Sequence, residues 1–196
     1  MSPLNKQQLD QIRDERREQI KQAALKLFAR QGIAGTKTSM IAAEAGISEG
    51  LIYRHFKSKD ELFTALVQEL MEEAAREIEY IHHLPGTPFE QIKALTQNML
   101  DENNQHTFML IQQARKADKV PEQVAQILAQ HSAHVLIDKL LPIIVKGQQA
   151  GEFSAGDPRE LLSWFFAVIS SLIMQEQGNE EYGMPDVDVL MRMLSK

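Results

Sequence analysis

The chain has 196 residues, 43% of them hydrophobic and 24% charged, which is enough apolar material for one large domain or for a small domain joined to a larger one. It has no cysteine, which excludes a disulfide scaffold, a thiol nucleophile and a cysteine zinc site. The start of the chain is polar, and the longest apolar run, 161–174, is too short to cross a bilayer. These features predict a cytoplasmic protein with no membrane partner.

The net charge of −6 is unevenly distributed along the chain. Residues 1–59 contain 11 basic and 6 acidic residues, a net +5, whereas residues 60–196 contain 10 and 21, a net −11. A basic segment attached to an acidic body predicts that the N-terminal part binds a polyanion.

The first predicted helices follow from apolar spacing. Apolar residues recur at helical intervals between Ile20 and Phe28 and stop at Gly32, which predicts a helix that ends at this glycine. The same spacing between Leu62 and Ile78 predicts a second, longer helix.

Later helices are predicted from their start signals. Thr87 and Asp157 each precede a proline and stand three residues before a glutamate, as expected for helix N-caps. Pro121 opens a third pattern, which predicts one long helix through Leu136 with a kink at Pro142. With no alternating strand pattern, the chain is predicted to be all-α, with about nine helices.

The segment TSMIAAEAGISEGLIYRHF, residues 38–56, predicts two short helices around a tight turn. Thr38 or Ser39 can cap the first helix, and Ser48 can cap the second. Gly46 stands where the turn requires a left-handed backbone. The pattern indicates a helix-turn-helix whose second helix enters the major groove of DNA, although an ordinary corner between two helices has similar spacing.

The two faces of this segment have different chemistry. Ile41, Ala42, Ile52 and Phe56 are predicted to point inward, which leaves an outer face formed by Glu49, Gly50, Tyr53 and Arg54. In the adjoining sequence, Ser58 and Glu61 form a predicted capping box, and Lys59 lies at a helix N-terminus that suits a phosphate.

Residues 23–63 resemble the N-terminal DNA-binding domain of the tetracycline-repressor (TetR) family of bacterial transcriptional regulators. The resemblance covers Leu-Phe and Gly of the first helix, Ile-Ala and Ala-Gly-Ile-Ser of the second helix and turn, and His-Phe and Lys-Asp-Glu-Leu beyond them. Ile52 and Tyr53 stand where the family has Leu-Tyr. The resemblance implies a ligand-responsive regulator, most often a repressor, with a DNA-binding domain at 1–58 and a ligand-binding, dimerising domain at 59–196.

The resemblance also implies roles for individual residues. Phosphates are expected to contact Thr38, Tyr53, His55 and Lys59. Base edges of double-stranded operator DNA are expected to face Ser39, Ser48, Glu49, Gly50, Leu51 and Arg54.

The apolar run 161–174 is hydrophobic around the whole helix, which predicts burial against its own domain and against a second copy. The family's dimers use the last two helices, here about 157–178 and 185–195. The predicted homodimer contacts are Leu161, Leu162, Phe165, Val168, Ile169 and Leu172. The alternative is a central helix of a monomeric bundle.

An effector pocket is predicted within the acidic body, although these residue types also occur in plain cores. Its candidate lining residues are Met71, Met99, Phe108, Met109, His131, His134 and Trp164. Such a lining suits an apolar or aromatic effector that is uncharged or cationic.

Two other classes of protein are alternatives to the regulator. A helical-bundle metalloprotein or enzyme with an incidental basic end would need more ligands than His131, His134 and Asp138, and a di-iron bundle needs two Glu-x-x-His motifs where only Glu79 and His82 supply one. A protein–protein adaptor would use the helix-turn-helix only as a corner. We therefore expect no metal, no cofactor and no enzymatic activity.

Overall fold

The structure, a computed structural model, describes residues 6–175 and 183–195. This part of the chain forms ten helices and no strand, apart from one isolated bridge between Phe153 and Ser195, so the predicted all-α class is confirmed with one helix more than expected. The helices are α1 (Lys6–Gly35), α2 (Thr38–Glu44), α3 (Glu49–His55), α4 (Lys59–Ile81), α5 (Pro88–Leu100), α6 (Glu102–Lys116), α7 (Glu122–Gln130), α8 (Ala133–Gln149), α9 (Pro158–Ile173) and α10 (Val187–Met191).

The predicted start signals of α5 and α9 are confirmed. The Thr87 hydroxyl accepts the Glu90 N–H while the Glu90 carboxylate accepts the Thr87 N–H, which completes a capping box. The Asp157 carboxylate caps α9 by accepting the N–H groups of Arg159 and Glu160. These local bonds place the start of each helix independently of tertiary packing.

The predicted single helix from Pro121 through Leu136 is wrong. α7 ends at Gln130, and Ser132 caps a new helix, α8, by accepting the N–H of Val135. α8 then continues through Pro142. At the far end of the chain, residues 176–178 of the predicted dimer helix lie outside the described residues.

Two hydrophobic clusters form the core, and they do not divide at residue 58. The first joins α1, α2, α3 and the beginning of α4 to Leu110, Ile111 and Ala114 of α6 and to the apolar face of α7. The second joins the end of α4 to α5, α8, α9 and α10. The domain boundary at 58 stays a prediction. The hydrophobic core around α1, α2 and α3, which we call the head, continues into α6 and α7.

Two helices connect the head to the rest of the protein. α4 contributes to both clusters, from Leu62 at its start to Ile81 at its end. α6 packs on α1 over the most extensive helix–helix contact in the described part of the chain. None of the described helices is long and apolar enough to cross a membrane.

Candidate DNA-binding surface and effector cavity

The helix-turn-helix is formed by α2 and α3, as the sequence predicts. Gly46 has a φ of +63°, in the left-handed region that favours glycine, and the N–H of Ile47 closes the turn on the Ala42 carbonyl oxygen at 3.0 Å. Ile41 of α2 and Ile52 of α3 are buried in the first cluster. The turn and this apolar contact together fix the angle at which α3 leaves α2.

The predicted capping residues of these two helices are corrected by the structure. Lys37, and not Thr38 or Ser39, is the N-cap of α2, and its side chain makes no capping bond. Ser48 is the N-cap of α3, but its hydroxyl does not cap the helix either. Neither helix has a side-chain capping bond at its N-cap; Ser39 and Ser48 are exposed, and Thr38 is half-buried.

The outer face of α3 is open to solvent. Glu49, Gly50, Tyr53 and Arg54 are exposed, with Tyr53 at 52%, whereas Leu51 is half-buried. A Cβ atom at position 50 would meet no atom within 4 Å, so the isolated protein does not require glycine there. Glycine at this position therefore fits a surface that another molecule approaches closely.

Lys59 has a different environment from the one predicted. Its ammonium donates hydrogen bonds to the carbonyl oxygens of Ile33 at 2.6 Å and Thr36 at 2.7 Å, which ties the start of α4 to the end of α1. Two of its three N–H donors are thus occupied within the protein. Beside it, the Ser58 hydroxyl accepts the Glu61 N–H, which confirms Ser58 as the cap of α4. The predicted capping box is not completed, because the Glu61 carboxylate accepts the N–H of Lys57 at 2.6 Å.

An arginine cluster on α1, which the sequence reasoning missed, lies against the end of α3. Arg17 donates to the His55 carbonyl oxygen at 3.0 Å and stacks over the Phe56 ring at 4.1 Å from its centroid. Burial lowers the pKa of the half-buried His55 imidazole, and nearby guanidinium groups lower it further, namely those of Arg13, Arg17, Arg54 and Arg16. The i, i+3 and i+4 spacing of the α1 arginines was the available signal.

A cavity of about 200 Å³ lies where the two hydrophobic clusters meet, between α4, α5, α6, α8 and α9. Met71, Met99 and Phe108 line it as predicted, together with apolar residues such as Ile111 and Phe166.

Four residues predicted for this pocket lie elsewhere. Met109 packs against both clusters, and the His131 ring is bonded to the Ile127 carbonyl oxygen at 3.0 Å. His134 is exposed, and Trp164 is 67% exposed on the outer side of α9. The break between α7 and α8 places His131 at the C-cap of α7 and His134 in the first turn of α8.

Charged residues also line the cavity, and the sequence reasoning did not select them. Glu73 and Glu77 lie one turn apart on α4 and are exposed at its edge. Burial raises the pKa of Glu77, and the like charge of Glu73 raises it further, while a hydrogen bond from Asn98 opposes the shift. Arg115 of α6 is half-buried, and its guanidinium donates to the His131 carbonyl oxygen at 2.6 Å.

The predicted dimer residues divide into two groups. Leu162, Phe165 and Ile169 are at most 1% exposed and belong to the second cluster of their own chain, so they are not available to a second copy. The other predicted contacts are only partly buried: Leu161, Val168 and Leu172. Trp164 extends this open side of α9.

Several of the candidate metal ligands have other partners in the structure. Asp138 pairs with Arg159, and Glu79 pairs with Lys139 at 2.7 Å. His82 contacts the Lys139 carbonyl oxygen at 2.7 Å. Within residues 6–175 and 183–195, no group of three histidines and carboxylates is placed to hold a metal ion.

Comparisons with known proteins agree with this architecture. Residues 20–66 match the protein family described as "Bacterial regulatory proteins, tetR family". The regulator AcrR of Shigella flexneri is 37% identical over 89 residues, which cover 44% of this chain and 41% of AcrR, so the match spans less than half of that relative. The repressor BepR of Brucella suis biovar 1 is 30% identical over 165 residues, 76% of this chain and 75% of BepR.

The fold is shared with solved structures. The ketosteroid regulator KstR2 of Mycobacterium tuberculosis superposes with a TM-score of 0.73 at 18% identity, over 92% of this chain and 95% of KstR2. At that identity the likeness concerns the fold alone. Together with the match to BepR over most of both sequences, these findings show that the chain belongs to the TetR family of bacterial regulatory proteins.

Proposed function

We propose that this chain is a transcriptional repressor that binds a near-palindromic operator as a homodimer and releases it when a small molecule occupies the cavity. The proposal is supported by the exposed outer face of α3, by the arginines of α1 beside it and by the net positive charge of residues 1–59. BepR, a relative matched over most of its length, is itself named a repressor.

On the DNA side, each polar group of the head has a chemically suitable partner. Arg54 suits a guanine edge and Glu49 a cytosine amino group, while the exposed Tyr53 hydroxyl suits a phosphate. Gly50 permits the backbone of α3 to approach the groove closely. Thr38, Ser39, Ser48, Leu51, His55 and Lys59 remain proposed contacts around this centre.

The observation that carries the regulatory part of the proposal is the position of the cavity between the two cores. α6 lines the cavity from Asn104 to Arg115 and also packs on α1 of the head. α4 lines the same cavity from Leu70 to Ile78, and only Phe56, Lys57 and Ser58 separate it from α3. A ligand that separates α4 from α6 therefore changes the orientation of the head.

In a dimer, a change in the orientation of the two heads leads to release of the operator DNA. Two heads bound in successive major grooves must be about 34–36 Å apart, or a small multiple of this, because the duplex fixes the spacing. A reorientation of each head misaligns one half-site. An effector must bind the misaligned state about 10⁴-fold more tightly to give a nearly complete switch, and a smaller ratio gives a graded response.

The proposed dimer surface is the open side of α9 and the adjoining C-terminal residues. Trp164, Val189 and Met193 are all more than 40% exposed in the single chain, and Leu161 lies with Trp164 and Met193 around one surface depression. Large exposed apolar side chains that cluster in this way are typical of a protein interface.

Binding to duplex DNA at several salt concentrations tests the proposal. Promoter fragments from the source genome should bind with an affinity that falls steeply with salt, and the bound site should be near-palindromic. Arg54→Ala should weaken binding, whereas Arg76→Ala, which removes an exposed arginine of α4, should not. Salt-independent binding, or none to any fragment, would reject the DNA-binding function.

A further inference from the structure

We propose that the effector carries an anionic group, which binds Arg115, on an apolar or aromatic body. This inference rests on the proposed function, because it names the chemistry of the molecule that occupies the same cavity.

Arg115 is held in place but is only partly used. Its hydrogen bond to the carbonyl oxygen of His131, the C-cap residue of α7, occupies one of the five N–H donors of a guanidinium group. The residue lines the cavity and is half-buried. A planar guanidinium at the cavity wall, with four donors not used by this bond, suits a carboxylate or another planar anion with two acceptor oxygens.

The structure gives Arg115 no counter-ion among the described residues. None of the ion pairs in this part of the protein includes it. Burial lowers the pKa of its guanidinium, and no carboxylate within the described part of the chain opposes that effect. A partly desolvated charge without a counter-ion is unfavourable, so an anionic ligand would gain a charge pair whose protein half is already tied to the His131 carbonyl group.

Neither Glu73 nor Glu77 forms an ion pair with Arg115. Glu77 is hydrogen-bonded to Asn98, which also accepts a bond from Asn104 at 3.1 Å, so this acidic end lies near the beginning of α6. Arg115 lies eleven positions later on α6, which is about 16 Å along a helix. Glu73 and Glu77 are exposed, so water screens the charges of their carboxylates. We therefore expect an anionic effector, whereas sequence composition alone favoured an uncharged or cationic one.

The walls between these two ends determine the body of the ligand. Met71, Phe108, Ile111, Leu140 and Phe166 line this part of the cavity and offer few hydrogen-bonding groups. An apolar or aromatic body would therefore bury its surface here while the anion pairs with Arg115.

Arg115 also lies next to the head of the protein. Its neighbour Ala114 is buried in the first cluster, and α6 packs on α1. An anion that pairs with Arg115 therefore acts on the end of α6 and, through the His131 carbonyl group, on the end of α7, which belongs to the same cluster.

Three compounds of nearly equal shape and different charge test the inference: 4-tert-butylbenzoate, 4-tert-butylbenzamide and 4-tert-butylbenzamidine. Calorimetric titration of the full chain should give at least about tenfold tighter binding of the benzoate than of the neutral amide, and still weaker binding of the cationic amidine. A tenfold ratio corresponds to about 1.4 kcal/mol, within the range of one charged hydrogen-bonding pair.

Substitutions at position 115 test whether the guanidinium group of Arg115 causes the tighter binding of the benzoate. Arg115→Gln should remove the advantage of the benzoate over the amide, and Arg115→Lys, which keeps the charge without the planar group, should retain part of it. Arg76→Gln is the matched control, because Arg76 is exposed on α4 and does not line the cavity. The ratio between the two ligands is measured within each variant, so a general loss of stability does not imitate the effect.

Equal binding of the three compounds, binding of none, or tightest binding of the benzamidine would overturn the inference. A benzoate preference that persists in Arg115→Gln would also overturn it. The same preparations are assayed for salt-dependent binding to promoter fragments, so loss of the charge preference with intact DNA binding rejects the anion but not the regulator.

Discussion

The ammonium of Lys59 donates a hydrogen bond of 2.7 Å to the carbonyl oxygen of Thr36, at the point where α1 ends and α2 is about to begin. A second bond, to the Ile33 carbonyl oxygen, is 2.6 Å long. One side chain thus joins the beginning of α4 to the end of α1. The head and the helix that leaves it are connected by this charged contact as well as by apolar packing.

Lys59→Ala should therefore lower the free energy of unfolding, by about 1–3 kcal/mol, because two carbonyl oxygens lose a charged donor. Urea denaturation measures the change. Lys57→Ala, two residues away and exposed, should change stability by less than about 0.5 kcal/mol. Equal destabilisation by the two variants would show that the Lys59 bonds contribute nothing to the fold.

Gly46 and Gly50 should respond in opposite ways to alanine. Gly46→Ala should destabilise the protein by about 1–2 kcal/mol, because φ is +63° at this position. Gly50→Ala should stabilise the free protein by about 0.5–1 kcal/mol, because the position is helical and a Cβ meets nothing within 4 Å. If α3 enters the groove, however, Gly50→Ala should weaken binding to duplex DNA; unchanged affinity would place position 50 outside the interface.

The lowered pKa of His55 predicts how the stability of the folded protein depends on pH. Burial and the guanidinium groups of Arg13, Arg17, Arg54 and Arg16 lower its pKa in the folded protein. The folded state then binds fewer protons than the unfolded state, so this contribution to stability is present above the unfolded pKa of about 6.5 and is lost as pH falls below it.

DNA binding should depend on pH in the opposite direction from stability, because the phosphates of DNA favour the protonated imidazole of His55. We expect the affinity for duplex DNA to rise as pH falls from about 8 to about 5.5, and His55→Gln to flatten this dependence. Fluorescence anisotropy at constant ionic strength measures it. His83→Gln, at an exposed position on the body, is the control, and a profile unchanged by His55→Gln would assign the pH response to another group.

The exposed apolar side chains on the open side of α9, such as Trp164, predict that the protein forms a homodimer. Trp164→Glu should convert a homodimer into a 22.2 kDa monomer at micromolar concentration, whereas Tyr80→Glu, which changes an aromatic residue of similar exposure on α4, should not. Phe165→Ala should instead lower the free energy of unfolding by about 3–5 kcal/mol, because its ring is buried in its own chain. Sedimentation that shows a monomer for the unchanged protein would contradict the dimer.

The features that sequence predicted well are determined by local interactions. The left-handed Gly46, the caps at Thr87 and Asp157 and the inward positions of Ile41 and Ile52 depend on residues within one or two turns. Caps and periodicity encode such features directly. The break at Ser132 was missed because the apolar spacing continues across it from Leu128 to Leu136.

The lining of the cavity and the buried positions on α9 were predicted less well because they depend on tertiary packing. Methionine and aromatic content identified Met71 and Phe108 but gave equal weight to Trp164, which lies on the outer side of α9. Arg115 was missed because its partner is a carbonyl group on another helix. Charged residues on amphipathic helices are usually solvated, and only the fold shows which one borders a cavity.

The measurement that tests the central claim most directly compares ligand binding to the free protein with binding to the protein on its operator. The compound used is whichever of the three tert-butyl compounds binds the free protein most tightly. If occupancy of the cavity and DNA binding are coupled, operator-bound protein should bind it more weakly, and saturating ligand should weaken operator binding by the same factor. Equal affinities for the free and the operator-bound protein would contradict the coupling between cavity and head.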